Sequence, residues 1–267
     1  MHHDGHRFTR DPEHTHVGPM SRSTFFVAGA TGYTGREVVR LARERGCRVV
    51  AHIRPESKSR ATYEEQFDSL GAEVDLTPWE PDAIARTLKR HAPTHAFALL
   101  GTTKSRAREE ERRRGGEVSY ETVDYGLTMM LLEACEGLSA PPRFIYLSSM
   151  GIGERAPSNA YMFVRWRVEK ALAERPVPFT IVRPSFITGP DRDELRPGER
   201  VGATLADGAL ALVGALGGGR IRDRYQSLTN TELADAMVQL ALDPDAEGAV
   251  VEADELRARA SGQAAVD

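Results

Sequence analysis

The chain has 267 residues, 40% of them hydrophobic, and a formal net charge of -4. That length suffices for one large α/β domain or two small ones with a substantial core. The acidic balance argues against a general nucleic-acid binder, which usually carries a basic excess. Two cysteines, Cys47 and Cys135, lie far apart without metal-ligand spacing and are expected to be free thiols in a reducing compartment.

Residues 1–22 hold five of the eight histidines but no apolar stretch that would make a secretory signal. No cysteine or carboxylate framework organises those histidines, so no metal site is expected. The segment is expected to be a disordered tail, with Met20 as an alternative natural start. From Thr24 onward, apolar runs alternate with amphipathic ones. "TFFVAGA" predicts a buried strand and "GREVVRLARERG" a helix that stops at Gly46. "RVVAHIR" predicts the second strand. "YEEQFDSLGAEVDLT" predicts a short helix, a glycine stop and a third strand, and "EPDAIARTLKRHAPTHAFALLGTT" another helix and strand, with Pro81 suited to a first helical turn.

The run "KSRAREEERRRGGE" (104–117) mixes both signs and predicts a solvated helix or mobile loop. "YETVDYGLTMMLLEACEGL" predicts a helix with a nearly continuous apolar face, "PRFIYLSSM" a fifth strand before the helix of Tyr161, and "VPFTIVRPSFITGP" a sixth. Beyond it come a polar loop, an apolar helix from Val201 to Leu216, and a glycine break at Gly217 to Gly219. A helix "NTELADAMVQLAL" follows, with Asn230 or Thr231 as cap, then a last short strand in "GAVVEAD". The stretch "VGATLADGALALVGALGGG" is too short and glycine-rich to span a bilayer, so a protein without a membrane span and with a cytoplasmic location is expected.

This alternation predicts an α/β fold, a single doubly wound parallel sheet with helices on both faces. The expected domain runs over 23–256, including a small C-terminal substrate-side extension at about 190–256, with 257–267 a flexible C-terminus.

The most informative stretch is "VAGATGYTGREVV". Gly29, Gly32 and Gly35 are spaced G-x-x-G-x-x-G between the first strand and the first helix. Such glycines permit a tight turn and let backbone N–H groups approach a pyrophosphate at the positive helix end. Thr31, Tyr33 and Thr34 share that loop. An NAD site usually has an acid at the end of the second strand, for the ribose 2′-hydroxyl. Here Arg54 stands in that region, with Arg36 just beyond the last glycine. Cations there suit a 2′-phosphate, which favours NADP(H) over NAD(H).

The blocks "GATGYTGR", "LLGTT", "YLSSMG", "VRP" and "RPGE" resemble the short-chain dehydrogenase/reductase superfamily in its atypical NAD(P)H-binding branch. Within it the likeness is greatest to the Tat-interactive-protein-type oxidoreductases, with NmrA-like proteins more distant. The resemblance covers roughly Thr24 to Arg200 and implies a Rossmann-type fold. It also implies that Asp75 and Leu76 lie beside the adenine, although Asp75 could equally cap a loop. Leu100, Gly101 and Thr102 would lie where the fourth strand passes the cofactor, and Pro184, Ser185, Phe186 and Ile187 near the nicotinamide.

The resemblance further implies a Ser, Tyr, Lys catalytic set. Either Ser148 or Ser149 matches the serine, Ser149 better because side chains alternate along a strand. Ser148 would then contact the cofactor. Tyr161 matches the tyrosine, but Arg165 stands where the lysine belongs. In the family mechanism the tyrosine moves the proton at the substrate oxygen, and the lysine tunes it and holds the ribose. Four residues advance a helix by about 400°, so Arg165 shares the face of Tyr161; Lys170, roughly 900° on, lies opposite and cannot substitute. Arginine supplies charge and donors, so Tyr161 and Arg165 would both contact the cofactor, but it stays protonated and cannot relay a proton. Only four of the thirty-five basic residues are lysines, a bias that suits a tolerated lysine-to-arginine change.

Three readings are therefore open. One is an NADPH-dependent reductase of a small carbonyl or enone, with Tyr161 as acid. Another is a cofactor-binding sensor or interaction protein with weak or no turnover. The third is epimerase or lyase chemistry on a sugar-like substrate. Nothing in the chain chooses between monomer and homodimer.

Overall fold

A computed structural model describes residues 23–102, 119–188 and 227–262. The histidine-rich segment, the charged run, the apolar helix expected at Val201 to Leu216 with its glycine break, and the last five residues lie outside the described residues.

Seven strands form one parallel sheet: β1 (Thr24–Ala28), β2 (Arg48–His52), β3 (Glu73–Asp75), β4 (His95–Ala98), β5 (Arg143–Leu147), β6 (Phe179–Arg183) and β9 (Val250–Glu252). Their order is β3-β2-β1-β4-β5-β6-β9. The chain winds outward from β1 to one edge, returns to pair β4 beside β1, then winds the other way. The direction of winding reverses between β1 and β4, the place where a parallel sheet of this kind offers a ligand site at the carboxyl ends of its strands.

Helices cover both faces. On one side α1 (Tyr33–Glu44) packs against α6 (Asn230–Leu242), with Phe67 of α2 (Arg60–Ser69) in the same apolar cluster. Ion pairing of Arg45 with Asp235 closes the α1–α6 seam. On the other side lie α3 (Pro81–His91), α4 (Thr128–Glu136) and α5 (Ala160–Glu174), burying Ile84, Leu88, Leu131, Leu132, Val168 and Leu172. Both cysteines are buried and free, and burial pushes the Cys135 thiol up, leaving it inert. Among the described residues, no helix is long and apolar enough to cross a membrane.

Four local expectations change. The segment expected as one sixth strand divides at Pro184. Proline has no N–H for a ladder bond, so β6 ends at Arg183 and Ile187–Thr188 (β7) pairs instead with Leu228–Thr229 (β8) in a separate two-stranded sheet. The cap of α6 is neither Asn230 nor Thr231 but Thr229. Its side chain accepts from Glu232 N–H at 3.1 Å, while the Glu232 carboxylate accepts from Thr229 N–H at 2.8 Å. This reciprocal pair satisfies donors that no helical carbonyl reaches. The helix expected from Tyr120 opens as a π-helix (Tyr120–Leu127), capped by Ser119, before tightening into α4. Finally, regular structure runs past the expected domain end at 256, and residues 257–260 are helical. They complete α7 (Ala253–Ala260), where Leu256 is fully buried and Arg259 meets Asp243 at 2.9 Å.

Candidate cofactor and proton-transfer site

The glycine loop after β1 leaves no room for a side chain at Gly29 or Gly35. Gly29 has φ +85°, a conformation L side chains rarely adopt. A Cβ there would stand 2.5 Å from the Leu99 carbonyl oxygen, so β4 presses directly on the loop. A Cβ on Gly35 would stand 2.1 Å from Gly29 O, and one on Gly32 3.0 Å from the same atom. Helix α1 opens at Gly32 with no side-chain cap and no acid in its first turn. Backbone N–H groups, a positive helix end and a first turn without an acid make a cradle that fits a pyrophosphate. Thr31, Tyr33 and Arg36 are half-buried around it, and Thr34 is buried.

Arg54 is exposed two residues beyond β2, on the same edge of the sheet as the cradle. Asp75, by contrast, is turned inward and only 3% exposed. Its carboxylate accepts from Thr77 N–H at 3.0 Å, Thr87 Oγ1 at 2.9 Å and Arg90 at 2.6 Å, with the His91 ring at 3.2 Å. Those hydrogen bonds outweigh the cost of burial and hold the carboxyl below its usual range, although burial alone would raise it. The loop-capping alternative is the geometry seen, and half-buried Leu76 packs against the apolar cluster that includes α1.

At the ends of β5 and β6 the two serines separate. Ser148 is buried, and its hydroxyl donates to the carboxylate of Glu169 on α5. Arg183 completes that knot, reaching Glu169 at 2.6 Å and Glu252 at 2.9 Å. The Ser148 hydroxyl thus uses its proton inside this buried knot. Ser149 is half-buried on the alternate side. Met150 N–H donates to Pro184 O at 3.0 Å, which brings the serine loop beside the Pro184–Ile187 segment. There Ser185 is buried and Phe186 is 62% exposed.

Tyr161 lies in the first turn of α5, half-buried, edge-on to Tyr120 with ring centroids 5.4 Å apart. Arg165 runs beneath it, 6% exposed, with its guanidinium carbon 4.7 Å from the tyrosine ring centroid. One arm of the guanidinium donates to the carbonyl of Leu147 at the end of β5; the other donates to Asp124 at 3.2 Å. Asp124 also accepts from Thr102 N–H at 2.9 Å. Burial works against the Arg165 charge, yet Tyr146, Tyr161 and Asp124 together hold its proton more tightly than usual. Lys170 is exposed on the other side of α5, over Trp166.

The residues found only in the structure are Asp124, Tyr120, Tyr146 and the Glu169–Arg183 pair. Asp124 left a trace in the sequence, because it is a lone acid four and seven residues before Thr128 and Leu131 on the buried stripe of its helix. The cradle, the β4 loop (Leu100 to Thr102) and the Tyr161–Arg165 face all meet at one edge of the sheet.

A glycine cradle at the reversal point of a parallel sheet, with a tyrosine and a buried cation beside it, defines a dinucleotide-binding α/β protein. The sequence pattern of the NAD(P)H-binding family matches residues 29–216, and the chain belongs to that family. It is 31% identical over 178 residues to a chloroplastic divinyl chlorophyllide a 8-vinyl-reductase of Zea mays, covering 62% of this chain and 41% of that protein. Against the Oryza sativa subsp. indica protein of the same name it is 35% identical over 176 residues, covering 62% and 40%. The chain therefore spans about two fifths of the length of these curated relatives. The fold is shared with the UDP-Glc/GlcNAc 4-epimerase of Campylobacter jejuni at TM-score 0.60 and 14% identity, covering 88% of this chain and 82% of the other.

Proposed function

We propose that the protein is an NADP(H)-dependent reductase of a small conjugated carbonyl or vinyl compound, with Tyr161 as the proton donor. The observation that carries this is the placement of a half-buried tyrosine, over a buried guanidinium, at the same sheet edge as the glycine cradle. The name of the vinyl-reductase relatives supports a conjugated substrate. Hydride comes from the dinucleotide when it is bound. The chain would hold the pyrophosphate on the Gly29–Gly35 loop and orient the substrate by Ser149. The Tyr161 hydroxyl would give its proton to the atom that takes up the electron pair as hydride adds: the oxygen of a carbonyl or enone, or the carbon beside the one receiving hydride in a vinyl group. Exposed Phe186 offers an apolar surface for the substrate on the side of the Pro184–Ile187 segment.

Tyr161→Phe should lower kcat by about 100-fold or more, the usual scale of a lost general acid, with a much smaller loss of NADPH binding from the missing hydroxyl contact. Stopped-flow NADPH oxidation with a panel of enones and vinyl-substituted rings checks this. Wild-type turnover that persists in Tyr161→Phe would remove the tyrosine from the chemistry.

The preference for NADP(H) rests on Arg54 and half-buried Arg36 with no acid at the end of β2. Arg54→Glu should weaken NADPH by roughly tenfold or more, since a charged hydrogen bond contributes about 1.5–3 kcal/mol. NADH binding should change much less. Equal losses for both dinucleotides would sink the assignment of a 2′-phosphate contact.

A second reading, a dinucleotide-binding sensor with little turnover, draws on Arg165. Its two arms are taken by Leu147 and Asp124. Tight NADPH binding with no oxidation across the substrate panel would favour it.

A further inference from the structure

We propose that Asp124 is a positioning residue that governs the acidity of Tyr161 by neutralising the guanidinium of Arg165. The inference rests on the reading of Tyr161 as proton donor, but its geometry stands independently. Asp124 is 2% exposed and lies on the π-helical segment. Such segments shift side chains out of ordinary helical register and recur at functional sites. One carboxylate oxygen meets Arg165 at 3.2 Å and the other the Thr102 amide at 2.9 Å. Arg165 cannot turn away, because its other arm is fixed on the Leu147 carbonyl. Gly101 closes the pair from above: a Cβ there would lie 3.4 Å from the Asp124 carboxylate and 3.5 Å from the guanidinium.

A bare guanidinium this close to a tyrosine favours tyrosinate, whereas a carboxylate on the same guanidinium cancels most of that field. Arg165 from α5 and the Thr102 amide from the β4 loop bond Asp124, and Tyr146 from β5 feels its charge; Tyr161 joins the cluster through Arg165, and Glu169 through Tyr146. Burial pushes Asp124 up to about 6, against the lowering effects of Arg165 and the Thr102 amide. Above that pH the Asp124–Arg165 pair carries no net charge. As pH falls through it, Asp124 takes up a proton, the Arg165 charge is uncovered and the tyrosine becomes a stronger acid. A lysine at this position could release its own proton when buried, whereas here the carboxylate is the titrating member.

The test uses the full chain labelled with ¹³C at tyrosine Cζ and aspartate Cγ, without substrate. The Tyr161 resonance, identified by its loss in Tyr161→Phe, should inflect near pH 6 with the same midpoint as the Asp124 carboxyl. In Asp124→Asn that inflection should vanish, and tyrosinate of Tyr161 should appear at a pH lower by on the order of one unit. An inflection that survives Asp124→Asn overturns the proposal. If that variant does not fold, the wild-type titration decides: different midpoints, or a flat Tyr161 resonance, also overturn it. Because no turnover is measured, coupling without activity would leave this inference standing while the reductase reading fell.

Discussion

Gly35→Ala is expected to abolish dinucleotide binding and to cost about 3 kcal/mol of stability, the upper range for overpacking a rigid site. The added methyl would stand 2.1 Å from Gly29 O and 2.9 Å from both the Cα and the carbonyl oxygen of Ala30. All of these are backbone atoms, so no side chain can swing aside. Nor can the loop retreat, because Gly29 is already held against the Leu99 carbonyl by the pairing of β1 with β4. The strain must instead push α1 away from the loop, which moves the helix N-terminus off the pyrophosphate position. NADPH fluorescence titration should show affinity reduced by more than about 100-fold, and urea unfolding a lower midpoint at unchanged slope. Gly32→Ala should be milder, since its nearest atom is 3.0 Å away. Wild-type affinity in Gly35→Ala would mean that the cradle is not the cofactor site.

Arg165→Met should destabilise the fold by about 3–5 kcal/mol at pH 8, because it leaves Asp124 ionised, buried and without its cation. The loss should shrink at pH 5. Burial already raises Asp124 to about 6 in the folded chain, and Arg165 lowers it, so removing the arginine raises it further. A carboxyl whose folded pKa is raised favours the folded state at low pH, an advantage lost as pH rises through that folded pKa. The variant is therefore less penalised where Asp124 can hold a proton. Urea unfolding at the two pH values measures the difference, and equal losses at both would show that the pair is not the source of the cost.

The strand–helix alternation was legible because it depends on periodicity within short windows, and the seven-strand parallel sheet follows from it. The glycine loop was legible for the same reason, since G-x-x-G-x-x-G between a strand and a helix has a local steric meaning. So was the relation of Tyr161, Arg165 and Lys170, which is helical arithmetic: the first two share a buried face and the third is exposed. Pro184 carried its own signal, the missing N–H that splits the sixth strand, although the apolar run around it masked the break.

Charge pairing was not legible. Asp75 could serve an adenine or cap a loop as far as its neighbours show. Thr87, Arg90 and His91 arrive from α3 and take its carboxylate into the interior. Ser148 and Ser149 differ in the same way, because Glu169, twenty-one residues on, claims the first.

The chemistry of Arg165 depends most on contacts of this kind. Its identity and its face of the helix are local facts, set by composition and a 3.6-residue turn. Its counter-charge lies 41 residues earlier, on another helix, and its second acceptor is a strand carbonyl 18 residues back. Those distances close only when β4 and β5 stand side by side and lay the π-helical segment against α5. Sequence periodicity placed a cation under the tyrosine; sheet order decided that a carboxylate would meet it there.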